Sequence, residues 1–292
     1  RILLFAGLFV AIVCMGLLGV GADGVHAQDA EEAEIEIPFL LDWMGSGHAD
    51  AEAEAFRHWD EDDPAEVPDN CAKCHSSSGY LDFHGVDGSE VGVVNSSVPV
   101  DPAEVVTCVT CHNDATVHKD SVVMPSGIEL TGLGAEARCM ECHQGRESKI
   151  SVDASIDALA LEDVDTVSEE LGFRNIHYYA AAATKYGTLA KGGYEYDFDT
   201  YDGNFAHVEG FNTCNDCHSP HTLELDIEAC ATCHEGVEAA EDLREVRMQG
   251  SVVDYDGDGD VEEGIYYELE GLREMLMPAM QAYANEVSGT PI

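Results

Sequence analysis

The chain has 292 residues, with 58 acidic against 13 basic side chains and a formal charge of -45. That balance repels nucleic acid and anionic lipid, so a nucleic-acid partner is excluded and cations or basic proteins are favoured. Length alone allows one large domain or two smaller ones.

From Ile2 to Ala22 the chain carries no charge, and it then reaches Val25-His26-Ala27, a small-x-small pattern suited to signal peptidase. Residues 1–27 are expected to be a signal peptide cleaved after Ala27. Retention as a membrane anchor is the alternative, since about 20 apolar residues span a bilayer. The protein is thus expected to be exported, to the periplasm, the extracellular space or the cell surface. Because the sequence opens on Arg1, the basic start of the signal is expected to be cut short. Cys14 lies in the apolar run, and Val13 before it argues against lipid attachment.

The other ten cysteines form five pairs of one pattern, "CAKCH" at Cys71, "CVTCH" at Cys108, "CMECH" at Cys139, "CNDCH" at Cys214 and "CATCH" at Cys230. Irregular spacing of the pairs argues against a solenoid of constant period. The one long interval, between the third and fourth pairs, holds "DASIDALALEDVDTVSEEL" and "GFRNIHYYAAAATKYG", whose apolar spacing and alanine content predict two helices. Elsewhere "GVDGSE", "MPSG", "KGGYEYDFDTYDGN" and "DYDGDGD" read as loops, with no series of alternating strands. After them, Ile265, Leu269, Leu272, Leu276 and Tyr283 fall at helical intervals, predicting an amphipathic helix over 262–287, interrupted or kinked at Pro278.

Three chemistries compete for the cysteine pairs. Disulfides suit an exported chain with an even cysteine count. Four-thiolate zinc sites use pairs two at a time, leaving one of five stranded, and neither choice accounts for a histidine after every pair. Histidine is 13 of 292 residues, so its chance occurrence after all five pairs is on the order of one in ten million. Covalent haem explains both facts: two thiols add to the two vinyl groups of one porphyrin, and the next residue turns its imidazole onto the iron. Five c-type haems are expected on Cys71, Cys74, Cys108, Cys111, Cys139, Cys142, Cys214, Cys217, Cys230 and Cys233, with His75, His112, His143, His218 and His234 as proximal ligands.

Seven histidines remain for the far side of the irons: His48, His58, His84, His118, His177, His207 and His221. His221 leads, because in "CHSPH" a proline turn can aim it at a haem other than its own. His177 follows, beside small alanines that admit close approach of a porphyrin, although plain helix propensity also accounts for those alanines. Met44, Met124 and Met140 are alternative axial sulfurs. In "DYDGDGDVEEGI", Asp254, Asp256, Asp258 and Asp260 with Gly259 match the start of an EF-hand-like calcium loop. Its twelfth position is Ile265, so a closing carboxylate has to come from Glu262, Glu263 or Glu268; a solvated acidic turn is the alternative.

From Trp43 onward, "WMGSGHA", "FRHW", "CAKCHSSSGY", "MPSG", "CHQGRES", "NIHYYAAAAT", "CHSPHTL" and "DGDGD" resemble exported bacterial multihaem cytochromes c of the doubled-CxxCH kind, and more distantly the octahaem reductases. The resemblance implies His48, His58, His177, His207 and His221 as the distal set, with His84 and His118 spare. It also implies a longer protein continuing past "SGTPI".

The expected fold is mainly α with extensive loops and little β-sheet, its core built around covalently attached haems. Residues 28–250 would form the pentahaem domain and 251–292 an acidic calcium-loop-like segment with a C-terminal helix. The expected function is electron transfer between redox partner proteins through mostly bis-histidine haems. Two other readings stay open: a reductase with one open haem acting on nitrite, hydroxylamine or a sulfur oxyanion, and a filament-forming, homo-oligomeric or surface-docked conductor.

Overall fold

Turn-formers punctuate the chain so closely that most helices are short, and each of the five cysteine motifs supplies or adjoins one. The computed structural model describes residues 36–163, 165–204 and 206–289; the expected signal or anchor, 1–27, lies outside them. Phe39 onward is a single unit.

Helices α1 (Leu40–Met44) and α2 (Glu54–Arg57) precede strand β1 (Glu66–Val67). The first motif lies in α3 (Asp69–His75), which runs into α4 (Ser77–Phe83); β2 (Val98–Pro99) then pairs antiparallel with β1. The second motif forms α5 (Cys108–Cys111). Strands β3 (Ser121–Val123) and β4 (Glu129–Thr131) pair antiparallel around the "MPSG" turn, where Gly127 has φ +82°. The third motif begins at the end of α6 (Glu136–Met140), followed by α7 (Lys149–Leu159) and α8 (Ala181–Tyr186). The fourth forms α9 (Cys214–Cys217), the fifth starts in α10 (Ile227–Ala231), and α11 (Ile265–Ser288) closes the chain. The architecture is thus mostly helix and loop with little strand, and no described helix is long and apolar enough to cross a membrane.

Two small clusters make the polypeptide core. One packs Val122, Met124, Leu130 and Leu133 of the β3–β4 region against Ala137 and Met140 of α6 and Ala182 and Ala183 of α8. The other joins Trp59, Val67, Ala72, Val98 and Val100. Met124 and Met140 are therefore core side chains rather than free sulfurs, and Met44 is exposed. Large apolar residues outside these clusters stay at the surface, Phe173 at 91% exposure, Tyr179 at 88% and Phe198 at 86% among them. So small a core leaves most of a fold's usual apolar stabilisation to some other group.

The long interval departs from its sequence pattern. Helix α7 stops at Leu159, where Ala160 turns left-handed at φ 48°. Beyond it Asp163 and Thr166 bond their own neighbouring backbone and side chains, a local alternative to the helical ladder. In the second stretch only Ala181–Tyr186 is helical. His177 stands before it on left-handed backbone at φ 93°, its amide donating to Asn175 Oδ1 at 2.9 Å, while the Arg146 amide donates to the Ile176 carbonyl at 3.0 Å.

Helix α11 runs unbroken through Pro278. Its stripe Ile265, Leu269, Leu272, Leu276 and Tyr283 is exposed instead of packed. Polar contacts hold the helix: buried Glu268 accepts from Arg247 at 2.6 Å and from the amides of Tyr255 and Asp256 at 2.7 and 3.2 Å, and the Tyr283 hydroxyl donates to Asp165. Burial pushes the Glu268 carboxyl up, but these donors outweigh it and hold it below its ordinary value.

Two outcomes follow from this packing. Helix α3 meets α4 at Gly79, where an added Cβ would lie 2.4 Å from the Ala72 carbonyl oxygen. Gly79→Ala is expected to cost about 1–3 kcal/mol in chemical denaturation of the haem-loaded protein; no loss would show that α3 and α4 do not meet so closely. Since the folded Glu268 carboxyl lies below its unfolded value, the unfolded chain binds the extra proton on acidification. Its contribution to α11 docking is complete above about pH 4.3 and disappears as pH falls through the lower folded value. Pepsin cleavage around 247–268 should therefore rise in the native protein between about pH 5 and about pH 3, and Glu268→Gln should be cleaved alike at the two.

Candidate functional site

A single local conformation recurs at the five motifs. On a helix, residues i, i+3 and i+4 share a face, so a helical Cys-x-x-Cys-His turn presents two thiols and one imidazole together. The His112, His143, His218 and His234 amides donate to the carbonyls of Cys108, Cys139, Cys214 and Cys230 at 2.8–3.0 Å, and Cys71 to His75 lies within α3. Caps position these turns: Asp226 accepts the Ala229 amide at 3.0 Å before the fifth motif, and Thr213 with Asp216 forms a capping box before the fourth. All ten thiols are free of disulfides. Among the described residues, no three Cys or His side chains converge as a zinc site requires.

The imidazoles pair across the molecule. Ring centres of His143 and His48 are 6.3 Å apart, those of His112 and His221 6.2 Å, those of His234 and His207 6.1 Å, and those of His75 and His177 5.8 Å. The first three pairs have ring planes within 28° of each other; the fourth is nearly perpendicular at 81°. Such separations are too long for face contact, which lies at ~3.5–4 Å. Two imidazoles sharing one metal at about 2.0–2.1 Å from each nitrogen place their ring centres about 6.3 Å apart. The four separations fit that requirement.

Neighbouring groups aim and neutralise these rings. His75 Nδ1 bonds the Ala55 carbonyl at 2.8 Å, and His218 Nδ1 the Leu223 carbonyl at 2.9 Å, leaving Nε2 of each for a metal. Burial, and then proximity to His143, lowers the His48 pKa to about 4, so the ring is held neutral, the form that binds metal. Burial likewise lowers His75, His143 and His177. Phe39 stacks on His221 at 4.4 Å and 5°.

His58 alone of the five distal candidates faces no motif histidine; it is exposed, bonds Glu54 at 2.9 Å and sits edge-on to Trp59. Among the described residues no ring pairs with His218 as in these four, and His143, itself paired with His48, lies within its electrostatic reach. His118 is exposed, whereas His84 is half-buried, its Nε2 without a hydrogen-bond partner and its pKa lowered to about 4 by burial. The hydroxyl of fully buried Tyr80, one helical turn earlier, is also unpartnered, and its surroundings include Cys142, Cys111 and Cys139. Orphaned polar atoms beside three motif thiols are consistent with a polypeptide that closes on a non-protein group. With the small core and the imidazole separations, they fit covalent porphyrins at the motifs.

Buried acid is the feature the sequence pattern missed. Glu141, inside the third motif and 3% exposed, accepts from Lys73 at 3.1 Å, Lys119 at 2.9 Å and Gln144 at 3.2 Å. Burial raises its pKa, but the two ammonium groups prevail and hold it below the ordinary carboxylate value. Glu136, also 3% exposed, accepts from Lys185 at 2.5 Å, the Tyr186 hydroxyl at 2.9 Å and the Cys214 amide at 3.0 Å. The available signal was scarcity: only five lysines occur in the chain, and one occupies the first motif.

In the acidic loop, Asp254, Asp256 and Glu268 bring carboxylate oxygens within 4.8 Å of one another, as do Asp256, Asp258 and Glu263. Asp260 joins neither group; its carboxylate accepts the Glu262 and Glu263 amides at 2.9 and 3.3 Å. Glu263 Oε1 is buried without a partner, and burial followed by Asp258 and Asp256 raises its pKa.

The chain is similar to the C-type polyheme cytochrome OmcC of Geobacter sulfurreducens, at 28% identity over 255 residues covering 67% of this chain and 31% of that protein. It is also similar to the C-type polyheme cytochrome OmcB of two strains of that species, at 27% identity over 248 residues covering 65% of this chain and 32% of the relative. The likeness is therefore to multihaem c-type cytochromes, and the matched region spans about a third of their length. No family model matches the chain, and no solved structure does.

Proposed function

We propose that this chain is an electron-transfer module of an exported multihaem cytochrome c, carrying five haems on its five Cys-x-x-Cys-His turns. One observation carries the reading: four motif histidines face a second imidazole across 5.8–6.3 Å. When bound, the haem iron supplies reversible one-electron exchange between ferric and ferrous states. The chain's part is to fix each group and set its potential. His75, His112, His143, His218 and His234 are the proximal ligands, and His177, His221, His48 and His207 take the far side of the first, second, third and fifth sites. Nitrogen donors on both faces keep potentials low. The acidic exterior steers basic redox partners, an attraction that weakens as salt rises.

A second reading concerns the fourth site alone. Since no ring pairs with His218 in that way among the described residues, that site is the place for an open haem and a reductase activity on nitrite, hydroxylamine or a sulfur oxyanion. The acidic loop is read as a calcium site, with Asp254, Asp256, Asp258, Glu263 and Glu268 as donors and Asp260 left to brace the loop. A cation there would relieve the crowding of charge around Glu263.

Three measurements decide these points. Intact-mass analysis of the purified protein should show five haem additions; fewer would remove motifs from the assignment. In the oxidised protein, electron paramagnetic resonance should show low-spin ferric haems, and His221→Ala should convert one to high spin; an unaltered spectrum rejects His221 as a ligand. A high-spin signal already in the unaltered protein supports the open fourth site, and purely low-spin signals reject it. Calcium at about a hundredfold its dissociation constant should stabilise the protein by about 2.7 kcal/mol in thermal unfolding. Asp256→Asn should abolish that response, and identical melting in calcium and chelator would sink the site.

A further inference from the structure

Contacts between motifs far apart in sequence are unevenly shared. The third motif touches the first reciprocally: the Cys74 thiol lies 3.9 Å from the Glu141 carbonyl, and the Cys142 thiol 3.8 Å from the Lys73 carbonyl. The Cys74 and Cys142 thiols are close neighbours as well. Toward the second motif, Arg138 donates to the Cys111 carbonyl at 3.3 Å, and Lys119, seven residues beyond His112, reaches Glu141 at 2.9 Å. Toward the fourth, Glu136 accepts the Cys214 amide at 3.0 Å, and the Cys139 and Cys214 thiols are close neighbours. Among the described residues the fifth motif joins only the fourth in this way, through the Asp226 amide on the Cys217 carbonyl at 2.9 Å.

We infer that the third haem site, Cys139 to His143, is a three-way junction, with the first, second and fourth sites as its neighbours and the fifth hanging from the fourth. The inference rests on haem attachment at the motifs and adds their connectivity, which sequence order would make a single file. Glu136 and Glu141 are its positioning residues. They stand five apart on one segment, and between them they bind three of the five lysines and the Cys214 amide. Exposure agrees with a junction inside and terminals outside: Cys108 of the second motif and Cys233 of the fifth are exposed, while both thiols of the third are not. An electron taken from a reduced basic partner protein at one terminal leaves to an oxidised partner protein at another, each site being reduced as its predecessor is oxidised. The second site also touches the first directly, Ser77 Oγ lying 2.7 Å from Thr110 Oγ1, so it is the fifth that reaches the first through the junction.

Site-resolved redox titration of the intact protein by NMR of haem methyl resonances tests this. Reduction adds one negative charge at a site and lowers the apparent potential of its neighbours. In the unaltered protein, the couplings of the third haem to the first, second and fourth should each exceed its coupling to the fifth. His48→Met, which raises the potential of the third haem, should lower the apparent midpoints of those same three haems and leave the fifth in place. A first haem coupled to the third no more strongly than the fifth is restores the single file and overturns the inference. If His48→Met fails to load all five haems, the titration of the unaltered protein decides alone. Failure of the underlying reading is separate, because it appears as missing haem mass before any titration.

Discussion

A carboxylate buried inside a cysteine motif needs cations, and in a chain with 58 acidic and 13 basic side chains cations are scarce. Glu141 takes two of them, and the rest of the structure is arranged around that demand. Satisfying it draws Lys73 of the first motif and Lys119 beyond the second onto the third. Removing one partner would leave a buried charge uncompensated, an expensive state in a low-dielectric interior. The same logic at Glu136 recruits Lys185 and the start of the fourth motif. Motifs widely separated in sequence are thus brought together by ion pairing, in a chain whose apolar clusters are too small to collect them.

The haem-type turns and the small core are complementary. Each turn places two thiols and an imidazole on one face through local hydrogen bonds, and longer-range partners such as Glu136 at the Cys214 amide and the Ala55 carbonyl at His75 hold it there. Short helices, antiparallel pairs of two or three residues and exposed aromatics such as Phe173 and Phe198 suit a shell that wraps large flat groups more than one that packs on itself.

Much of this was readable from residues. The motifs fix their own local geometry, because the i, i+3, i+4 relation is a property of the helical turn. The scarcity of strand was visible in the density of Gly, Asp and Pro. Long-range pairing was another matter. His48 and His143 are 95 positions apart, and no periodicity links them. The segment around His177 misled because its alanines favour helix, whereas Asn175 and the Arg146 amide bind its backbone in a different path. Along α11 the apolar stripe has helical spacing, yet its docking rests on Glu268 and Arg247, a polar pair that hydrophobic patterning does not register.

His177 gives the first site a character of its own. A non-glycine residue at φ 93° holds backbone strain of order 1–3 kcal/mol. That strain is relieved when the segment relaxes, so the imidazole facing His75 is held less securely than the one at His221, which Phe39 clamps by stacking. In terms of ligand exchange, a metal held as proposed between each pair of rings would lose His177 from the first site at less cost than His221 from the second.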